Sequence, residues 1–299
     1  MPQITANGIN IEYDERGNPD DPALLLIMGY TAQMVAWPAG FCDMIAAKGY
    51  RVIRFDNRDV GLTQKFEEFG VPNLQQAVAG LMKGDVPEAG YTLEDMADDA
   101  AGLLDALGIR GAHIMGASMG GMIAQLFALR HPEKTLSLIS VMSTTGRPGV
   151  GVATPEAMGA LMSAPKSTSR EDVVEHSLRM AKIIGSPANE IDAERFKEFS
   201  GQVYDRSYYP QGIPRQYVAI LATPPRHDRL AEIKAPTLVI HGADDPLIPP
   251  DGGEDTAQSI PGSRLEMVER MGHDLPPQVW PQLVDLITGH AKASQTKAA

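Results

Sequence analysis

The stretch Ala112-His113-Ile114-Met115-Gly116-Ala117-Ser118-Met119-Gly120-Gly121 decides how this chain is read. Ala112–Met115 is a short, mostly apolar run of the length expected for a buried strand, and Met119–Arg130 has the length and composition of a helix. Between them Gly116-Ala117-Ser118-Met119-Gly120 matches the Gly-x-Ser-x-Gly pattern of a strand-turn-helix bend with serine at its tip. Such a bend strains the serine backbone and lifts Oγ clear of the sheet. Side chains at Gly116 or Gly120 would clash where strand and helix nearly touch. The helix that follows aims its unpaired N–H groups and positive dipole end at the hydroxyl. In a chain with 29 glycines the string alone is weak; its setting between strand and helix makes it specific, and Ser118 becomes the candidate nucleophile.

Working outward, apolar runs at Ala23–Met28, Tyr50–Phe55, Leu136–Met142, Pro236–His241 and Arg264–Val268 read as further strands. Residues 2–6 and 9–15 read as a hairpin across Asn7-Gly8. Helical stretches fall at Phe41–Lys48, Tyr91–Leu107 and Val279–His290. In the second of these, Thr92 is the expected N-cap with Asp95 three residues on. Alternating strands and helices, with strands apolar throughout, predict an α/β fold: a mostly parallel sheet of about eight strands flanked by helices. The alternation stops from about Thr145 to Asp228, where only helical segments are found. The expected organisation is therefore core (1–144), helical cap (145–228) and completion of the core (229–299), ending in a frayed tail over about Ala291–Ala299. Ligands of such sheets bind at the carboxyl edge of the strands, beneath the expected cap.

Composition narrows the function. With 299 residues, 43% apolar, the chain is long enough for a large buried core. A net charge of −12 and no basic stripe argue against nucleic-acid binding. The single cysteine, Cys42, permits no internal disulfide, and no Cys/His cluster suggests a metal; a reducing, cytoplasmic compartment fits best. Met1–Asn10 has no apolar core of a signal peptide, and the longest early apolar run is strand-sized, so no membrane span is expected. The partner is a small molecule, and the chain is a monomer or homodimer.

A serine nucleophile needs a base and a group that orients it. Of the seven histidines, His113 lies inside a strand, His131 ends a helix, His176 and His227 fall in the helical block and His290 is near the end. His241 closes a strand and runs straight into an acidic loop. His273, in Met271-Gly272-His273-Asp274, lies on a loop after the last strand and is the candidate base. The loop His241-Gly242-Ala243-Asp244-Asp245-Pro246 supplies Asp244 or Asp245 as the orienting acid. Acyl transfer builds charge on a carbonyl oxygen that two backbone N–H groups must meet. Met119, after the nucleophile, and Tyr30, after Gly29 beyond the strand Ala23–Met28, are the candidate donors.

These pieces, with Asp56-Asn57-Arg58-Asp59-Val60-Gly61, resemble the α/β-hydrolase superfamily along nearly the whole chain. The Met28-Gly29-Tyr30 turn and Trp37-Pro38 resemble the aclacinomycin methylesterase group and related bacterial carboxylesterases. The resemblance implies Asp245 as the acid, since the family places it three residues after Gly242. It closes the alternative position after the sixth strand, because Val141-Met142-Ser143-Thr144 holds no carboxylate. It also implies cofactor-free hydrolysis of uncharged, partly apolar carboxylic esters by Ser118, Asp245 and His273. C–C hydrolysis, lactone opening, thioester hydrolysis and perhydrolysis use the same triad, and a slow or inactive ligand receptor is the rival outside catalysis. Met158, Met162, Met180, Phe196, Phe199, Tyr204, Tyr208, Tyr209 and Tyr217 are candidates to line an apolar pocket or to pack the cap helices together.

Overall fold

Eight strands form one sheet in the computed structural model, which describes residues 2–189 and 191–298. The hairpin β1 (Gln3–Ala6) and β2 (Ile9–Arg16) turns at Asn7-Gly8, both with positive φ. Then come β3 (Ala23–Ile27), α1 (Ala39–Ala46), β4 (Arg51–Phe55), α2 (Leu74–Leu81), α3 (Leu93–Ala106), β5 (Ala112–Ala117), α4 (Met119–Arg130) and β6 (Thr135–Val141). Among the described residues, four helices follow without a strand: α5 (Pro155–Leu161), α6 (Arg170–Ile184), α7 (Ala193–Arg206) and α8 (Gly212–Ala222). The chain closes with β7 (Thr237–Gly242), α9 (Pro250–Ser259), β8 (Arg264–Val268) and α10 (Trp280–Ala298).

The strand order is β1-β2-β4-β3-β5-β6-β7-β8, with β2 antiparallel to its neighbours and β3 to β8 mutually parallel. Apolar runs become central strands because both faces are covered. Leu25 and Ile27 of β3, with Ile114 of β5, join the core under α3 and α4. Leu24 and Leu26, with Met115, join the opposite core under α1 and α10. Among the described residues no helix is long and apolar enough to cross a membrane.

Local signals are realised where they are strong. Thr92 caps α3, and Asp95 returns a bond to the Thr92 N–H, closing a capping box. The expected frayed tail is a correction: α10 runs on to Ala298, and only Ala299 lies outside the described residues. Ala291 and Ser294 are buried, and the Gln295 amide donates to His113 Nε2 at 3.2 Å. A polar, alanine-rich end stays helical because one face packs on the sheet. Two helices gave no clear signal, α2 and α9. The α9 segment, Pro250-Asp251-Gly252-Gly253, has poor helix propensity. It packs so closely that a Cβ on Gly253 would lie 2.4 Å from His241 Nδ1.

Candidate active site

Ser118 stands at the junction of β5 and α4 with φ 56° and ψ −124°. A non-glycine residue held there costs on the order of 1–3 kcal/mol, so surrounding packing must impose it. Two glycines permit that packing. A Cβ on Gly116 would lie 1.9 Å from Gly120 O, and one on Gly120 would lie 2.0 Å from Ile27 O. The Ser118 N–H donates to Val141 O at 2.9 Å and its carbonyl accepts from Ser143 Oγ at 2.8 Å. The hydroxyl is left half-buried and free to turn toward a base.

The candidate base is within reach. His273 Nε2 lies 3.0 Å from Ser118 Oγ, and His273 Nδ1 lies 2.7 Å from Asp245 Oδ2. An ionised carboxylate only accepts, so Nδ1 carries the proton and Nε2 is the acceptor for the serine hydroxyl. Asp245 is fully buried at its side chain. Its Oδ1 takes the N–H groups of Leu247 and Ile248, both at 2.9 Å, leaving Oδ2 for the imidazole. Asp244, one residue earlier, points to solvent. The structure thus brings Ser118, His273 and Asp245 together, across 155 and 28 residues of sequence.

Gly29 lies against Ser118: a Cβ there would sit 3.0 Å from Ser118 Cβ and 3.5 Å from Oγ. The backbone N–H groups of Tyr30 and Met119 find no acceptor among the described residues. The Tyr30 phenol donates to Ile213 O at 3.2 Å, and burial raises its pKa above the ordinary phenol value.

The remaining histidines have structural partners. His113 Nδ1 bonds Ser137 Oγ at 2.8 Å, and burial lowers its pKa to about 4. His131 meets Asp98 at 2.8 Å, and His176 meets Ser163 at 2.8 Å. His241 donates from Nε2 to Ile248 O at 2.8 Å, and burial keeps its pKa low.

A cavity of about 590 Å³ opens beside Tyr30. Tyr30 lines it and, with Gly29, links it to Ser118, which does not itself line it. Of the aromatic and methionine candidates, Met162, Met180, Tyr204, Tyr208 and Tyr209 line its wall. Met158, Phe196 and Phe199 do not, and Tyr217 packs its ring 5.8 Å from that of Tyr30. No lysine or arginine lines the cavity among the described residues.

Sequence reading missed the ion pairs that seat the α7 and α8 helices. Asp59 receives Arg215 through two bonds of 2.8 Å and the Tyr91 hydroxyl at 2.7 Å. Asp56 takes Arg206 at 2.7 Å together with the N–H groups of Met34 and Leu62. The Asp56–Gly61 run carries two acids, and no spacing within it names their cationic partners.

Several known proteins are similar to this chain over most of its length. Rhodomycin D methylesterase DauP of Streptomyces sp. (strain C5) is 28% identical over 97% of this chain and 98% of that protein. A 2-hydroxy-6-oxononadienedioate/2-hydroxy-6-oxononatrienedioate hydrolase of Burkholderia vietnamiensis is 29% identical over 89% of this chain and 85% of that protein. Among solved structures, the meta-cleavage product hydrolase CumD of Pseudomonas fluorescens IP01 superposes with a TM-score of 0.73 at 21% identity, covering 98% of each chain. A family model described as alpha/beta hydrolase fold matches residues 22–277, most of the chain, and the protein belongs to that family.

Proposed function

We propose that this protein is a serine carboxylesterase that cleaves uncharged, partly apolar carboxylic esters through an acyl-Ser118 intermediate. The observation that carries it is the unbroken relay Ser118 Oγ–His273–Asp245. Ser118 Oγ attacks the ester carbonyl while its proton passes to His273 Nε2. Negative charge on the carbonyl oxygen is met by the N–H groups of Tyr30 and Met119. The tetrahedral species collapses, the C–O bond to the alcohol breaks, and His273 returns the proton to the departing oxygen. Water then attacks acyl-Ser118, gives its proton to His273, and the acid leaves as the serine is reprotonated. Asp245 holds the tautomer and stabilises the imidazolium. The helices α5 to α8 act as the cap over the cleft in this reading.

Ser118→Ala removes the nucleophile, so turnover of a p-nitrophenyl ester should fall by about 10³-fold or more with folding intact; activity near wild type refutes the proposal. The base works only when neutral, so the rate should fall on the acid side of its profile. A flat acid limb for the chemical step counts against His273.

The methylesterase relatives support an ester substrate. The Burkholderia relative is named for dioate substrates, which carry two carboxylates. The cavity is lined by tyrosine, methionine, serine and threonine with no lysine or arginine among the described residues, and burial lowers the pKa of the one histidine in its wall, His176, so little there neutralises such a dianion. Neutral esters should therefore be turned over far faster than dicarboxylate C–C substrates, and a side-by-side panel reads the order directly.

A further inference from the structure

His273 is carried by Met271-Gly272-His273-Asp274, and this loop is pressed between two other stretches of backbone. On one side, a Cβ on Gly242 at the end of β7 would lie 2.3 Å from Met271 O and 2.7 Å from Gly272 O. On the other, a Cβ on Gly272 would lie 2.4 Å from Gly185 O and 2.8 Å from Ser186 N. Gly272 is thus required by close approach, with no positive φ involved. Peptide lies on peptide, so no side chain is available to absorb a shift.

Hydrogen bonds cross the same seam. The His273 N–H donates to Ile184 O, the last residue of α6, at 2.8 Å. The Gly272 N–H donates to Ser186 Oγ at 2.9 Å, and that hydroxyl donates in turn to Asp274 Oδ1. Asn189 Nδ2 donates to Arg270 O and Arg270 donates to Ala188 O, both at 3.0 Å. Ser186 is only 4% exposed. One buried hydroxyl therefore ties together the residues on either side of His273. Further along α6, Val173, His176, Ser177 and Met180 line the cavity.

Resting on the esterase reading above, we propose that Ser186 is a positioning residue for His273. Its hydroxyl fastens the imidazole loop to the end of α6, so the base stands at Ser118 only while α6 is seated. The cavity wall and the base then move as one body. A misplacement of about 1 Å in such a group costs about 10²-fold in rate.

The test compares Ser186→Ala and Ser186→Thr with the wild-type chain. It reads kcat and KM on a p-nitrophenyl ester and the rate at which a small fluorophosphonate labels Ser118. That probe reports nucleophile activation without needing the cavity. In Ser186→Ala, kcat and labelling should fall together by about 10- to 100-fold, with KM within about twofold. Ser186→Thr, which keeps the hydroxyl, should recover most of the loss. If Ser186→Ala does not fold, Asp274→Ala removes the acceptor that directs the hydroxyl and should show the same split. A folded Ser186→Ala or Asp274→Ala with kcat and labelling within about twofold of wild type overturns the proposal. Wild-type protein that neither turns over the ester nor labels overturns the esterase reading instead.

Discussion

At the scale of single residues the site depends on atoms that are absent. The missing Cβ atoms of Gly116 and Gly120 let β5 and α4 meet closely enough to force Ser118 to positive φ. Gly120→Ala would drive a carbon to within 2.0 Å of Ile27 O, a backbone atom in the middle of the sheet. That contact cannot be relieved by a rotamer change, so the loss should reach or exceed the roughly 1–3 kcal/mol typical of overpacking. Because the Met119 N–H moves with the bend, activity should fall further than stability. Denaturant unfolding and kcat measured on the same preparation check both effects. The serine strand and helix were legible because strand length, glycine spacing and helix onset are all local. Asp244 and Asp245 were not separable locally; burial of one and exposure of the other separates them.

At the scale of elements, α7 and α8 are fastened to the β4 side of the core by buried charge. Arg215 and Asp59 have almost no exposed side-chain surface. The Tyr91 and Tyr209 hydroxyls complete the cluster, each at 2.7 Å. Removing one member of such a pair leaves the other charged in a dry site, which typically costs about 3–5 kcal/mol. Arg215→Ala should therefore lower the denaturation midpoint sharply. It should also loosen α8, whose Ile213 carbonyl holds the Tyr30 phenol, so KM should rise along with the loss of stability. Chemical denaturation and steady-state kinetics read the two consequences. A midpoint within experimental error of wild type would show that the pair adds no net stability. None of this is visible in the sequence, because the partners stand 156 residues apart and neither run has a distinctive spacing.

At the scale of the whole molecule, pH acts on the core through a histidine that the reaction does not use. His113 is fully buried between Ser137, Tyr50 and α10. Burial, with a smaller push from His290, lowers its pKa to about 4. The unfolded chain binds a proton at this residue near the ordinary imidazole value of about 6.5, and the native state resists it. Stability is therefore fully present above about pH 6.5 and is lost as pH falls toward 4. The depression corresponds to roughly 3 kcal/mol. Urea midpoints recorded from pH 7 to pH 4 should fall, and His113→Gln should flatten part of that slope. An unchanged slope in the variant would place the acid sensitivity elsewhere.

What the sequence by itself determined was order and kind: eight strands, the helices between most of them, the sharp bend at Ser118, and the loops that carry His273 and Asp245. Those features follow from periodicity, turn chemistry and glycine spacing, which act over a few neighbouring residues. The family resemblance pointed to Asp245 over Asp244, and burial of the one and exposure of the other supply the physical reason; tertiary structure alone decided that a glycine-rich run becomes α9 and that the polar end stays helical. It alone brought Ser186 to the histidine loop from 86 residues away. Each of these depends on what lies across a packed interface, and local sequence carries no record of a partner that arrives from a distant part of the chain.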